Sequence, residues 1–404
     1  MEFSKVKCLL NKVLFSRYML RSLLYFASGI FIGRKYDVVF YYPQHFNRSG
    51  RQENLYFKPL IDICKHNNIS YVVFEEPDTE TRCPRDNDAV PFDFIFLLLL
   101  FFRKIAKFKN SKSLQEKDWA LAKLLKPIFF KKFNFNNYIV LSQSMLSFFR
   151  GLDKYASLYD YQHGIIYSTH WGYFTNGNAV KNLKLNNANV LVHGKGFKNL
   201  MQKFNKDRYY DSHVFILGYS CAARGKNAQP YNRNILFSLS ISEFSYKVNQ
   251  SMLEEICSFL SENKDFFTRN NIKFIFKHHP RFQHDIDDSR LLQFSFATFS
   301  NDTLEKCLEN CSLHVTFCST VTFEAAVIGM PTVLYKIPTF DIDFFEKEYF
   351  YPIPSQDREG VLRLIKNYYE DKKSYEEASG KVKEWGKYFC TDIDKELFLK
   401  ILNE

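Results

Sequence analysis

Short, nearly continuous apolar runs recur along this chain between polar loops and stretches of helical periodicity. Asp37–Tyr42, Ile69–Phe74, Asn137–Ser142, Ala156–Gln162, Asn189–Val192 and His213–Leu217 each read as a strand. Apolar on successive positions rather than alternating, they have the pattern of strands buried on both faces, as in a parallel sheet. Pro43 stops the first run; a polar loop from His45 to Gln52 and a helix to about Asn67 follow. Strand, loop, helix and strand in that order make a βαβ unit. Residues 219–233 hold Arg224, Gly225, Lys226 and Pro230 with no apolar pattern, and read as a linker. The pattern then restarts. Asn234–Leu239, Ile272–Phe276, Gln293–Phe296, Leu313–Phe317 and Thr332–Tyr335 read as strands, with helices over Val248–Asn263 and from Thr303, and a charged helical tail from Glu359. The expected architecture is α/β: an N-terminal Rossmann-like domain over 1–225, a second over 226–385, and a last helix in 386–404 crossing back to the first.

Two further apolar stretches do not fit a strand. Residues 1–34 mix Lys5, Lys7, Lys12, Arg17 and Arg21 with apolar positions, and their uninterrupted apolar part runs only from Leu23 to Ile32. A membrane span needs about 20 apolar residues, so the segment either lies on an anionic membrane surface or docks as an ordinary helix. Residues 91–102 are almost wholly apolar and end in Arg103, Lys104, Lys107 and Lys109. They read as a buried helix, or as a surface anchor with a basic collar.

Charge and cysteine usage narrow the partners. The chain has 404 residues, with 46% hydrophobic and 25% charged, and a formal net charge of +11; these are globular proportions with a basic surface suited to an anionic partner. No zinc-finger, RRM or helix-turn-helix pattern accompanies the charge, so a nucleic-acid partner is not expected. Nine cysteines without disulfide-like spacing, and no cleavable signal peptide, point to a reducing cytoplasm, with a peripheral position on the inner face of the cytoplasmic membrane. Cys307 and Cys311 are four apart on an expected helix and read as packing thiols rather than a metal pair.

Two segments carry candidate chemistry in the second half. Lys277-His278-His279-Pro280-Arg281 ends one apolar run. Ser319-Thr320 ends another and is expected to cap the short helix that follows, which bears Glu324. Cationic and hydroxyl groups at strand ends, one beside a helix start, suit a phosphate. Ser238, Ser240, Ser242 and Glu243 follow the first strand of this half; they either line that pocket, Ser240 first among them, or simply start a helix. In the first half, His163 stands before Gly164 at a strand end. Its imidazole titrates near neutrality and suits a general base; His170 and His193 rank behind it. Arg48 and Arg51, in the loop after the first strand, either meet an anionic acceptor or are solvated loop charges. Asp341-Ile342-Asp343 has a metal-motif spacing but lies late in a loop, and neither a metal nor another cofactor is expected.

The pair His279-Pro280 and Ser319-Thr320 resembles the donor-binding half of GT-B glycosyltransferases of bacterial surface polysaccharide synthesis. The nearest likeness is to sialyltransferases and polysialyltransferases, capsule Kdo transferases and teichoic-acid glycerophosphotransferases. It covers about residues 230–340 specifically. The resemblance implies a GT-B fold of two facing Rossmann-like domains. It also implies that His279 contacts the donor phosphate or sugar, that Pro280 rigidifies the strand end, that Lys277 or Arg281 adds charge, and that Glu324 holds a ribose. His163-Gly164 resembles the His-Gly motif of the glycerophosphotransferases. The acidic motif of polysialyltransferases is not matched, since Gln162 stands in its place. The implied activity is metal-independent transfer of a sialic-acid or Kdo-type sugar from a CMP-activated donor to a glycan or lipid-linked acceptor in capsule or lipopolysaccharide synthesis. A CDP-polyol phosphotransferase, a UDP- or GDP-sugar transferase and a non-catalytic, membrane-associated glycan-binding scaffold are the competing readings.

Overall fold

In a computed structural model that describes residues 16–47, 54–78, 83–105, 113–220, 230–240, 246–279, 287, 289–338 and 341–403, the apolar runs form two separate parallel sheets. The chain divides into two units. The first takes residues up to 192, 201–218 and those from 393; the second takes 193–200 and 219–392.

The strands of the first unit are β1 (Arg34–Pro43), β2 (Tyr71–Glu76), β3 (Val90–Pro91), β4 (Phe133–Leu141), β5 (Ser157–Tyr161), β6 (Phe174–Thr175), β7 (Asn178–Ala179), β8 (Asn189–Val192) and β9 (Val214–Ile216). Seven of them pair in the order β3-β2-β1-β4-β5-β8-β9, while β6 and β7 form a small antiparallel hairpin. Asn176-Gly177 closes that hairpin with positive φ at both residues, as a primed turn requires. β1 and β4 start several residues earlier than their apolar runs. Arg34, Lys35 and Tyr36 pair in register with Phe133, Asn134 and Phe135, where every second residue of β4 faces solvent, so a half-exposed strand end escaped a search for continuous apolar residues.

Each face of this sheet is covered. On one, Val38, Phe40 and Tyr42 pack with Phe57, Leu60 and Cys64, and with Phe398, Ile401 and Leu402 of the helix Lys395–Asn403. That last helix is fixed to the first unit by Asn137 Nδ2 donating to Leu402 O (3.1 Å). On the other face, aromatic rings fill the space: Tyr138 stacks on Phe149 at 4.0 Å, and Phe92 meets Tyr41 edge-on at 5.1 Å. Stacked and edge-on pairs of this kind add roughly 0.5–1.5 kcal/mol each beyond area burial. The high Phe and Tyr content is therefore used in packing.

The second unit holds β10 (Asn234–Ser238), β11 (Lys273–Lys277), β12 (Ala297–Phe299), β13 (Leu313–Thr316) and β14 (Thr332–Leu334), all parallel, in the order β12-β11-β10-β13-β14. The helix Tyr246–Glu262 buries Met252, Leu253, Ile256, Phe259 and Leu260. One expected strand is corrected: Gln293–Phe296 is turn, and β12 begins at Ala297. Phe294 and Phe296 are buried because they pack as anchors on each other and on Phe267 and Phe274, which mimics strand alternation in the sequence. Most of the expected linker lies outside the described residues.

Candidate active site

Open parallel sheets bind ligands beyond the carboxyl ends of their strands. In the first unit, His163 lies two residues past β5. The Gln162 N–H donates to Leu191 O (2.9 Å) and Gln162 Nε2 donates to Gly164 O (2.9 Å), fixing the backbone on both sides of His163. The Tyr56 hydroxyl donates to the His163 carbonyl (3.0 Å), and the Phe46 ring meets the imidazole edge-on at 5.1 Å. A Cβ placed on Gly164 would meet nothing within 4 Å. Packing does not demand that glycine, and the backbone beside His163 is open to approach.

Phe46 also meets a second imidazole. His45, in the turn after β1, lies tilted against Phe46 at 4.4 Å and has Nδ1 2.9 Å from the Asp78 carboxylate past β2. The Asp78 N–H donates to Gln44 Oε1 (3.1 Å), and Gln44 Nε2 donates to Cys83 O (2.7 Å). The two loops after β1 and β2 are thereby tied together around a His–carboxylate pair.

Three carboxyls sit at the same strand ends. Burial pushes Glu75, Glu76 and Asp160 each up to about 7. Glu75 is nevertheless engaged by Arg85 Nε (2.5 Å) and Asn47 Nδ2 (2.7 Å), and Arg85 also clasps Asp93. Glu76 accepts from the Tyr41 hydroxyl (2.8 Å). Asp160 accepts the N–H of Gln143 (2.8 Å). That bond supports an unusual turn after β4, in which Ser142, Gln143 and Met145 have φ of 63°, 53° and 58°. Non-glycine residues in this region cost roughly 1–3 kcal/mol each and persist only where their surroundings hold them. The Gln143 side chain in turn grips the next loop, Nε2 donating to Gly172 O and Oε1 accepting from Asn182 (3.3 Å).

The loop so held carries His170 and Trp171. The Gly172 N–H donates to His170 Nδ1 (3.1 Å), so the neutral ring carries its proton on Nε2. Burial lowers the His170 pKa, which favours that neutral form. Trp171 lies parallel to His170 (6.0 Å, 12°) and is 84% exposed. A flat apolar ring beside an N–H donor suits a sugar, which presents C–H groups on one face and hydroxyls at its rim. His193 is placed otherwise. It is buried, stacks on Tyr219 at 4.6 Å, and its carbonyl accepts from the Thr391 N–H (2.9 Å). The adjacent Gly194 lets the Phe389 backbone approach, since a Cβ there would lie 2.3 Å from Phe389 O.

In the second unit the ends of β10 and β13 are knotted by hydroxyls. Ser240 Oγ lies 3.0 Å from Thr316 Oγ1 and accepts the Cys318 N–H at 3.0 Å. Thr316 Oγ1 also donates to Ser238 O (2.9 Å). Ser240 therefore stands directly beside the turn that carries Ser319 and Thr320. Ser319 Oγ accepts the Val321 N–H (3.2 Å). Thr320 is already in helical conformation and makes no side-chain cap, which corrects the expectation that both residues cap the helix Val321–Val327. The order in the chain is turn, then cap-like Ser319, then helix. Glu324 is half-buried between fully buried neighbours on that helix. Beneath the knot, His314 is fully buried between Ser238 Oγ (2.7 Å) and Thr332 Oγ1 (2.9 Å), and burial lowers its pKa to about 3. This Ser–His–Thr line braces three adjacent strands and is closed to solvent.

His278 and His279 follow β11 and are both half-buried, and His278 stacks on Phe299 at 4.5 Å. Lys277 donates to the carbonyls of Ser300 and Asp302, so its ammonium holds the loop after β12. Asp343 is held at about 2 by Lys336 (2.6 Å) and Lys347 (2.7 Å). Among the described residues no group of three or more His, Cys, Asp or Glu side chains is arranged to hold a metal ion. Cys307 and Cys311 pack with Leu236, Leu308 and Ala325 in an apolar cluster. Pro280, Arg281, Arg48 and Arg51 lie outside the described residues.

No protein-family model and no curated protein matches the chain. Solved structures do. The UDP-GlcNAc 2-epimerase of Methanocaldococcus jannaschii is 13% identical, with 92% of this chain and 99% of that one covered at a TM-score of 0.51. The UDP-GlcNAc 2-epimerase of Neisseria meningitidis bound to UDP-GlcNAc is 10% identical, with 92% and 100% covered at 0.56. A variant of the wall teichoic acid polymerase TagF soaked with CDPG is 11% identical, with 99% and 96% covered at 0.50. At such identity the likeness gives the fold: two α/β domains of GT-B type with a helical C-terminal tail.

Proposed function

We propose that the protein is a nucleotide-sugar-dependent glycosyltransferase of bacterial surface polysaccharide synthesis. It transfers a sialic-acid or Kdo-type sugar from a CMP-activated donor to a glycan or lipid-linked acceptor, at an anionic membrane surface. The observation that carries this reading is the knot of Ser240, Thr316 and Cys318, which sets Ser240 beside Ser319 and Thr320 at the carboxyl end of β10 and β13. Hydroxyls gathered at such an edge suit a phosphate. Solved structures of the same fold hold UDP, UDP-GlcNAc or CDPG, which supports a nucleotide donor.

In this reading the acceptor hydroxyl loses its proton to the His163 imidazole as its oxygen attacks the anomeric carbon. The bond from that carbon to the donor phosphate oxygen breaks, and its electron pair leaves on the nucleotide. His279, with the hydroxyls of Ser240, Ser319 and Thr320, meets the charge that develops on the departing phosphate. Glu324 holds the ribose. Lys277 positions the strand end through the Ser300 and Asp302 carbonyls; Lys277 or Arg281 adds positive charge, and Pro280 rigidifies the strand end. Arg48 and Arg51 meet an anionic acceptor, and the Trp171–His170 pair grips its terminal ring. No step needs a metal.

The TagF likeness favours one alternative, a CDP-polyol phosphotransferase, in which the acceptor oxygen attacks phosphorus and CMP departs. A release assay separates the two. The chain is incubated with a CMP-sugar or a CDP-polyol and an oligosaccharide acceptor, and free CMP and extended acceptor are quantified. Product from the CMP-sugar alone, lost in His163→Gln, supports the proposal. Product from the CDP-polyol alone replaces it with the alternative. Product from neither, with a range of acceptors, contradicts both.

A further inference from the structure

The three helices Arg17–Ser28, Asp93–Ile105 and Leu114–Phe129 form one layer on the first unit. Met19 packs among Phe94, Leu97 and Leu100, the Phe94 N–H donates to Ser22 Oγ (3.0 Å), and Phe94 meets Phe129 edge-on at 5.2 Å. The first helix buries Met19, Ser22 and Phe26 inward. Away from that side Leu20 is 57% exposed, Leu24 60%, and Phe31 in the turn beyond the helix 77%. Positions 20 and 24 lie four apart and share one face of the helix. Phe101 on the second helix, and Leu124 and Ile128 on the third, extend the exposed apolar surface. More than half of the large exposed apolar side chains among the described residues lie between 20 and 128 on these helices and their flanking turns. Single exposed leucines are ordinary, but this concentration of exposed apolar side chains on one helical layer marks an interaction surface.

Its charges identify the partner. The three helices carry seven cations, Arg17, Arg21, Arg103, Lys104, Lys117, Lys123 and Lys126, against three carboxylates, Asp93, Glu116 and Asp118. Each carboxylate is already committed. Asp93 is clasped by Arg85, Asp118 by Arg103, and Glu116 closes a capping box with Ser113. Lys132 donates to Phe31 O, which puts a further cation beside that exposed residue. No described helix is long and apolar enough to cross a bilayer. Exposed apolar side chains flanked by this excess of cations over carboxylates fit the interface of an anionic bilayer, where rings and leucines enter the acyl boundary and lysines meet the headgroups.

We infer that this three-helix layer is a docking surface for an anionic lipid bilayer, with Leu20, Leu24 and Phe31 as its inserting side chains. The inference extends the proposed function by assigning the membrane contact to this layer rather than to the amino-terminal segment alone, and it does not depend on the donor. The test is flotation of the full chain with vesicles of phosphatidylcholine alone or with added phosphatidylglycerol. The comparison variant is the triple substitution Leu20→Ser, Leu24→Ser, Phe31→Ser, checked for an unchanged circular dichroism spectrum. The expected result is binding to the phosphatidylglycerol vesicles only, weakened at least about tenfold in the variant. The variant should keep the nucleotide binding of the parent chain in vesicle-free solution, so loss of docking and loss of the donor site are told apart. Equal binding to neutral vesicles would overturn the role of the cations. No vesicle binding would overturn the inference; if light scattering then shows a dimer that the variant dissolves, a second copy of the chain covers the layer. Undiminished vesicle binding by the variant would move the docking surface elsewhere.

Discussion

Replacing Asp160 by Asn tests whether a buried carboxyl props the acceptor-side loop. Burial raises this group from 3.8 to about 7. In the folded chain it therefore stays protonated well above the pH at which the unfolded chain ionises. The sign follows: folding loses almost nothing to this group below about pH 4, loses stability steadily as pH rises toward 7, and the loss levels off above that. The linkage relation gives a cost of ~2 kcal/mol at pH 5 and ~4 kcal/mol at pH 8, a difference of ~2–3 kcal/mol. An asparagine keeps an oxygen for the Gln143 N–H and does not titrate. Wild-type stability minus variant stability should thus fall by that difference between pH 5 and pH 8, while the contributions of Glu75 and Glu76 cancel. Guanidinium titration followed by tryptophan emission in a Trp385→Phe background reads the first unit alone, because Trp119 and Trp171 both lie there. A stability difference that is flat with pH within ~0.5 kcal/mol would refute the reasoning, for it would mean that Asp160 ionises in the fold without penalty.

Three further outcomes follow from the same geometry. Trp171→Ala should raise the KM for a glycan acceptor about tenfold with kcat little changed, and acceptor binding should shield Trp171 emission from iodide in the parent chain. His163→Gln should lower kcat by about 10²–10⁴ while the thermal transition stays within a few degrees, and should remove the acid limb of the kcat/KM profile, as expected for a base that must be unprotonated. Gly194→Ala should destabilise the second unit by roughly 1–3 kcal/mol on thermal unfolding, since its methyl would strike Phe389 O at 2.3 Å and that contact is backbone.

The parts of the fold that could be read in the sequence are those buried on both faces. β1, β8, β10 and β13 announce themselves because Val38–Tyr42, Val190–Val192, Ile235–Phe237 and Leu313–Thr316 are continuously covered. Where burial alternates, as at the start of β4, or where rings anchor a turn, as at Phe294 and Phe296, periodicity misleads. The contribution of residues 193–200 to the second unit left no trace in composition, because it depends on Gly194 and Gly196 meeting Phe389, a residue far along the chain. Among the candidate residues, Ser240, Ser319 and Thr320 were found by their place after apolar runs, and the structure brings Ser240 to that turn. The His45–Asp78 pair, Glu75, Glu76 and Asp160 were missed. A carboxylate inside or just after an apolar run, as in Tyr159-Asp160-Tyr161 or Phe74-Glu75-Glu76, was the available signal. Their partners lie between 10 and 35 residues away at no fixed interval, so no local spacing identifies them.

The central claim is that the carboxyl edge of β10 and β13 binds a cytidine nucleotide. Isothermal titration of the full chain with CMP, CDP, UMP, UDP and GDP, repeated on Ser240→Ala, tests it most directly. The account predicts tightest binding for CMP, weakened about tenfold in the variant because one hydroxyl of the knot is lost. No heat of binding for any of the five nucleotides with folded protein, or binding that Ser240→Ala leaves untouched, would contradict it.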